Sequence, residues 1–131
     1  NVKVNGVRSN YRFGEVDDNI AEVFGSGEAS EKSEFDKSRR IFEPCDRSKG
    51  NIARALFYVA HTYGDLLFYG DEGADRREWF ESQLPTLKEW NIQDPPDIIE
   101  INRTHKIAQI QGNVNPFVLD VNLVDNVSFV V

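Results

Sequence analysis

Two stretches of this chain hold the residue types that do chemistry. The first, "NVKVNGVRSN" (Asn1–Asn10), packs three asparagines, a serine and an arginine into ten residues. On a helix Asn5, Arg8 and Ser9 stand at i, i+3 and i+4 and share a face. Val2, Val4 and Val7 are loosely spaced as for a helix end, although valine and asparagine are poor helix formers. From these residues alone, Asn5 either serves a polar ligand or caps and hydrogen-bonds backbone. Arg8 is either a brace between loops or a phosphate contact, and its place one turn from Asn5 favours the brace. The second stretch runs from Lys37 to Arg54. Six basic residues stand there against two acidic ones, so the segment is +4 and the rest of a −7 chain is −11. Arg47, Lys49 and Arg54 are its phosphate candidates. They lie where "GNIAR" begins a predicted helix, and the free amides and dipole of a helix start favour an anion. An arginine fork fits phosphate oxygens, and binding of this kind needs only contacts to the nucleic-acid backbone. The plainer reading of the run is a solvated basic loop.

The remaining reactive groups carry less. His61 and His105 fall in predicted helices, where packed or surface roles are commoner than catalysis. Asp17 and Asp18 read as a solvated turn. The single cysteine, Cys45, excludes a cysteine-rich zinc site within the chain. It reads as a free thiol, with a bridge to a segment outside this chain as the alternative. There is no P-loop, GxSxG, GxGxxG or HExxH motif. Taken by itself, the chain shows no complete catalytic apparatus.

These residues need a scaffold, and the composition supplies one. With 131 residues and 40% hydrophobic content the chain is one domain, or part of one, with a real core. No run of 18 apolar residues exists, so no membrane span is expected. No charged-then-apolar leader opens the chain, and it holds no methionine, as expected of a processed or truncated protein. "FGSGEAS" closes a short extended piece around Ala21 to Gly27, and Glu28 to Arg40 reads as polar and exposed. Ile52, Leu56, Val59 and Tyr63 mark a helix that Asn51 caps and Gly64 stops. A second helical region, "DRREWFESQLPTLKEWNIQ", breaks or restarts at Pro85. A third is capped by Asp94, turns Ile98, Ile101, His105, Ile107 and Ala108 inward, and ends at Gly112. Asn113 and Asn115 then tie a Pro-led loop whose Phe117 enters the core. The fold class is α+β, mainly helical, in a single domain over 1–131 with its helical body at 50–118.

The order of three motifs adds a family. "VNGVRSNYRFG", "FEPCDRSKGNIARALFYVAHTYG" and "LKEWNIQDPPDIIEINRTHKIAQIQGNVNPFV" together resemble the bacterial endonuclease I family, from Val4 to Val118. These are non-specific nucleases with a ββα-metal (His-Me finger) site. The resemblance implies that residues 1–11 are the end of the metal-finger segment and that Asn5 offers an amide oxygen to a divalent metal. Magnesium is the first choice, with calcium or manganese as alternatives, because such hard cations take oxygen ligands. It also implies DNA or RNA as partner, 5′-phosphate products and a secreted or periplasmic location. The family's acidic–His strand, hairpin and "HNLxP" stretch are not in this chain. The general-base histidine is thus expected upstream, on a missing N-terminal segment or a companion chain. Val7 stands where the family commonly has an acid, and Ile99 where it often has tryptophan.

Two functions follow from this reading. In one, the chain is the larger C-terminal part of a metal-dependent nuclease, inactive until joined to the histidine-bearing half. In the other, it is a catalytically incomplete nucleic-acid-binding or interaction module that kept the fold. A structural helical domain is a third, weaker reading. The −11 charge outside the basic segment favours the last two, and an upstream acidic–His pair would favour the first.

Overall fold

The computed structural model describes residues 12–17, 22–24 and 32–129. Four short strands come first: β1 (Arg12–Phe13), β2 (Glu22–Phe24), β3 (Ser33–Asp36) and β4 (Ile41–Glu43). They form one sheet in the order β1-β4-β3-β2, with β1 parallel to β4 and the other pairs antiparallel. The register places Phe13 beside Phe42 and Phe42 beside Phe35. All three rings are buried and make one aromatic row across the sheet. β3 corrects the reading of Glu28 to Arg40 as polar and exposed, since Phe35 and Asp36 are both inside. Alternation around one phenylalanine was too short to mark a strand.

The helical body follows: α1 (Asp46–Leu67), α2 (Gly70–Gln93), α3 (Ile98–Gln111), a single turn α4 (Pro116–Leu119) and a 3₁₀ turn at Leu123–Asn126. The fold is α+β and mostly helical, as expected, with a small mixed sheet. α1 starts four residues before Gly50 and runs through Gly64. An interior glycine costs a helix only about 1 kcal/mol, less than the packing of α1 on α2 returns. α2 likewise runs unbroken through Pro85. Pro85 faces solvent, so the carbonyl it deprives of a partner can take water, while Gln83, Leu87 and Trp90 keep the inner face buried.

α3 departs furthest from expectation. Asp97, not Asp94, is its N-cap, with Asp97 Oδ1 accepting from the Glu100 amide at 2.8 Å. Its two buried residues are Glu100 and Thr104, whereas Ile98, Ile107 and Ile110 are exposed, the last at 85%. His105 is exposed as well. The inner face is therefore polar, because a charged partner on α1 draws Glu100 in. Gly112 does end the helix, at φ 82°. Past it, Asn115 caps α4 by accepting from the Phe117 amide at 3.0 Å. Phe117 joins Phe57, Phe80 and Phe129 in a second aromatic cluster.

Candidate nucleic-acid interface

The basic run divides by direction. Lys49 and Arg54 turn inward, and the rest stay on the surface.

Arg54, on the inner side of α1, is 0% exposed. Its Nε donates to both Glu100 oxygens, at 3.1 and 2.9 Å, and its Nη2 donates to Glu100 Oε1 at 2.7 Å. Nη1 donates to Asn91 Oδ1 at 3.0 Å, and Nη2 to Asn51 Oδ1 at 3.3 Å. Asn91 in turn donates to the Val121 carbonyl, and Asn115 to the carbonyl of Arg54. One guanidinium thus joins α1, α2 and α3, and the same residue's carbonyl holds the loop before α4. The expected phosphate contact at Arg54 is corrected: its fork is filled by a buried carboxylate and no phosphate reaches it. The free helix start near Gly50 is corrected too. The helix begins at Asp46, and the Gly50 amide donates to Asp94 Oδ2 at 2.8 Å.

Lys49 is 6% exposed and its charge is likewise taken. Its Nζ lies 2.9 Å from Glu43 and from Asp46, 3.4 Å from Glu15, and 5.6 Å from the centre of the Trp90 ring. Burial works against its charge. The Asp46 and Glu43 bonds, with the charges of Glu43 and Glu15, outweigh burial and hold its pKa above the ordinary lysine range. Burial raises the Glu43 carboxyl against the Val16 amide and Lys49. Glu15 goes the other way: burial is outweighed by the Trp90 N–H, Glu43 and Lys49, and its pKa is lowered. Lys49 is the cation that keeps three carboxylates together, so it too is corrected as a phosphate contact.

This cluster predicts a pH dependence. With a raised folded pKa, Lys49 contributes stability below about pH 10.5 that is lost as pH climbs through the folded value. Lys49→Met leaves half-buried Glu43 without its cation and lifts its pKa further. The variant is expected to lose about 2 kcal/mol at pH 7. The deficit shrinks by pH 4, where Glu43 takes up a proton more readily folded than unfolded. Urea unfolding at the two pH values measures this. An equal deficit at both would mean that the lysine acts through packing on Trp90 alone.

The outward set is Lys37, Arg39, Arg40 and Arg47, all exposed. Arg47 stands on the first turn of α1. The other three sit in the four-residue turn between β3 and β4. Asp36 shapes that turn: its Oδ1 accepts from the Ser38 amide at 3.0 Å, the Ser38 hydroxyl at 2.8 Å and the Arg39 amide at 3.2 Å. Arg12 on β1 donates its amide to the Arg40 carbonyl at 3.0 Å and its Nη1 to Ser82. Sequence reasoning counted Lys37, Arg39 and Arg40 in the run but did not single them out. The signal was Asp36 followed two residues on by Ser38, an Asx-turn pattern between two short apolar pieces.

Asn5 and Arg8 lie outside the described residues. Among the described residues no three histidine, cysteine or acidic side chains are grouped to hold a metal. The carboxylates around Lys49 are committed to that lysine. His61 packs edge-on against the Phe117 ring at 5.7 Å, and Cys45 is a free thiol 3.2 Å from the Ser48 hydroxyl. No described helix is long and apolar enough to cross a membrane.

The fold and site define an α+β domain whose internal cations are neutralised and whose outward cations gather beside a small sheet. The chain belongs to the Endonuclease I family, whose model matches residues 1–121. It is 34% identical over 116 residues to a periplasmic deoxyribonuclease of Aeromonas hydrophila, covering 88% of this chain and 42% of the relative. It is 30% identical over 116 residues to Endonuclease-1 of Buchnera aphidicola subsp. Acyrthosiphon pisum, covering 88% and 40%. An extracellular ribonuclease of Bacillus amyloliquefaciens is 39% identical over 83 residues, 59% of this chain and 29% of the relative. The chain thus spans less than half the length of these relatives.

Proposed function

We propose that this chain is the substrate-holding part of a metal-dependent, non-specific nuclease that hydrolyses phosphodiester bonds in DNA, RNA or both. The observation that carries the reading is the outward set Lys37, Arg39, Arg40 and Arg47 on a chain that is otherwise acidic. These side chains offer forked and point cations to a phosphate backbone and no arrangement for reading bases. Relatives named both as deoxyribonuclease and as ribonuclease support an unselective substrate. Those named periplasmic or extracellular support a location outside the cytoplasm.

In this reading Asn5 supplies one oxygen ligand to a divalent metal, magnesium first and calcium or manganese next. When bound, the metal would stabilise charge on the phosphate undergoing attack. An acidic ligand and a general-base histidine come from an acidic–His segment joined to this chain or carried by a companion chain. The two histidines of this chain stay out of the chemistry: His61 is packed on Phe117 and His105 stands on α3. With plasmid and magnesium, the 131-residue chain alone is expected to leave DNA intact. The protein with its acidic–His segment is expected to digest it. There Asn5→Ala should lower turnover at limiting magnesium by at least 10–100-fold, the range lost even for partners one layer beyond the ligands. Near-normal turnover of that variant would sink Asn5 as a ligand. Metal-dependent digestion by the short chain, surviving extensive purification, would sink the division of labour.

A further inference from the structure

We infer that the β3–β4 turn is a phosphate-binding turn in which Arg40 is kept in a left-handed backbone conformation for the sake of its charge. This rests on the nuclease reading and deepens it by giving one residue of the outward set a specific role. The turn joins Asp36 to Ile41, which pair directly across the two strands. Three of its four residues, Lys37, Arg39 and Arg40, are cationic and exposed. The Asp36 carboxylate fixes the Ser38 and Arg39 amides, so the turn is built and not loose. Arg40 has φ 54°, the only positive φ on a non-glycine residue among those described. Glycine takes that conformation without steric cost, and a long side chain does so at a cost. The conformation is held in place by the Arg12 amide, which donates to the Arg40 carbonyl.

The side chain gives nothing back to the fold. Among the described residues the Arg40 guanidinium makes no hydrogen bond or ion pair, whereas Arg54 and Lys49 are both saturated by internal acids. Strained backbone persists where the surroundings over-determine it and often where function needs it. Three cationic side chains within four residues also raise the local positive potential that draws an anion. A chain of phosphates is such an anion, and an arginine fork can grip it through two oxygens. Arg40 is thus a residue that glycine would replace well in the folded structure and badly at the ligand.

That opposition is the test. Wild type, Arg40→Gly and Arg40→Lys are titrated with a labelled 20-base-pair DNA and a labelled single-stranded RNA, in EDTA, across a potassium chloride series. Melting temperatures are taken in parallel. Arg40→Gly is expected to bind both probes roughly five- to tenfold more weakly at 0.1 M salt. Its log–log salt slope should flatten by about 0.7–0.9, the contribution of one phosphate contact, while the melting temperature holds or rises. Arg40→Lys keeps the salt slope because it keeps the charge, and binds more tightly than Arg40→Gly but more weakly than wild type because it lacks the fork. Wild-type affinity and slope in Arg40→Gly would overturn the inference and leave the nuclease reading standing. Weaker binding accompanied by a fall in melting temperature would overturn it too, making Arg40 a structural brace. A wild-type chain that binds neither probe would overturn the nuclease reading itself.

Discussion

Arg54→Ala is expected to cost about 3–5 kcal/mol of folding stability, the range for removing one member of a buried ion pair. Total stabilities run to about 5–15 kcal/mol, so the variant should sit near the edge of folding. The loss does not come from a missing attraction alone. Removing the guanidinium leaves the Glu100 carboxylate inside with its charge uncompensated, and it takes the donor from the Asn91 and Asn51 side-chain oxygens. It also unlatches α3, whose buried residues are Glu100 and Thr104 and whose isoleucines at 98, 107 and 110 face solvent. Glu100→Ala should be comparably harmful, since it strands the cation instead. Arg54→Met combined with Glu100→Leu should recover much of the loss, because neither charge is then left without a partner. Urea unfolding of the four proteins decides it. Loss below about 1 kcal/mol in Arg54→Ala would mean that the pair behaves as a solvated surface bridge. A phosphate contact at Arg54, the reading its place in the basic run suggests, would instead leave folding stability nearly unchanged.

The second large effect is expected at Trp90, which is fully buried where the sheet, α1 and α2 meet. Its ring stands edge-on to Phe13 at 6.4 Å, Lys49 Nζ lies 5.6 Å from it, and its Nε1 donates to Glu15 Oε1 at 2.8 Å. Trp90→Ala should cost about 3–5 kcal/mol, from lost transfer energy plus the cavity left between α2 and β1. Trp90→Phe keeps most of the packing and removes the N–H. It should cost about 1 kcal/mol, the worth of one hydrogen bond, plus the volume of the lost ring. If Trp90→Phe were as damaging as Trp90→Ala, the Glu15 bond and the Lys49 cluster would outweigh the core at this position. Thermal unfolding followed by circular dichroism separates the two cases.

Much of this protein was legible in its amino acids. The three ordered motifs identify its family, and composition with local periodicity carries the α+β, mainly helical class. The end of α3 at Gly112, the turn at Asn115–Pro116 and the burial of Phe117 are also readable, because each depends on a few adjacent residues. Helix starts were harder: Asp94 and Asp97 are both good caps, and which one served was settled when the Gly50 amide, 44 positions away in sequence, took Asp94. Charge was readable and its direction was not. Arg47, Lys49 and Arg54 look alike within one basic run, yet Glu100, 46 positions further on, draws Arg54 into the core. Glu15, 34 positions earlier, helps to hold Lys49 there. A cation reaches solvent or a carboxylate according to what tertiary packing brings within about 4 Å of it, and spacing along the chain does not encode that distance. Arg40 shows the same limit from the other side. Its type and place in the run were visible, but its left-handed backbone and unshared charge exist only once β3, β4 and β1 have closed around the turn.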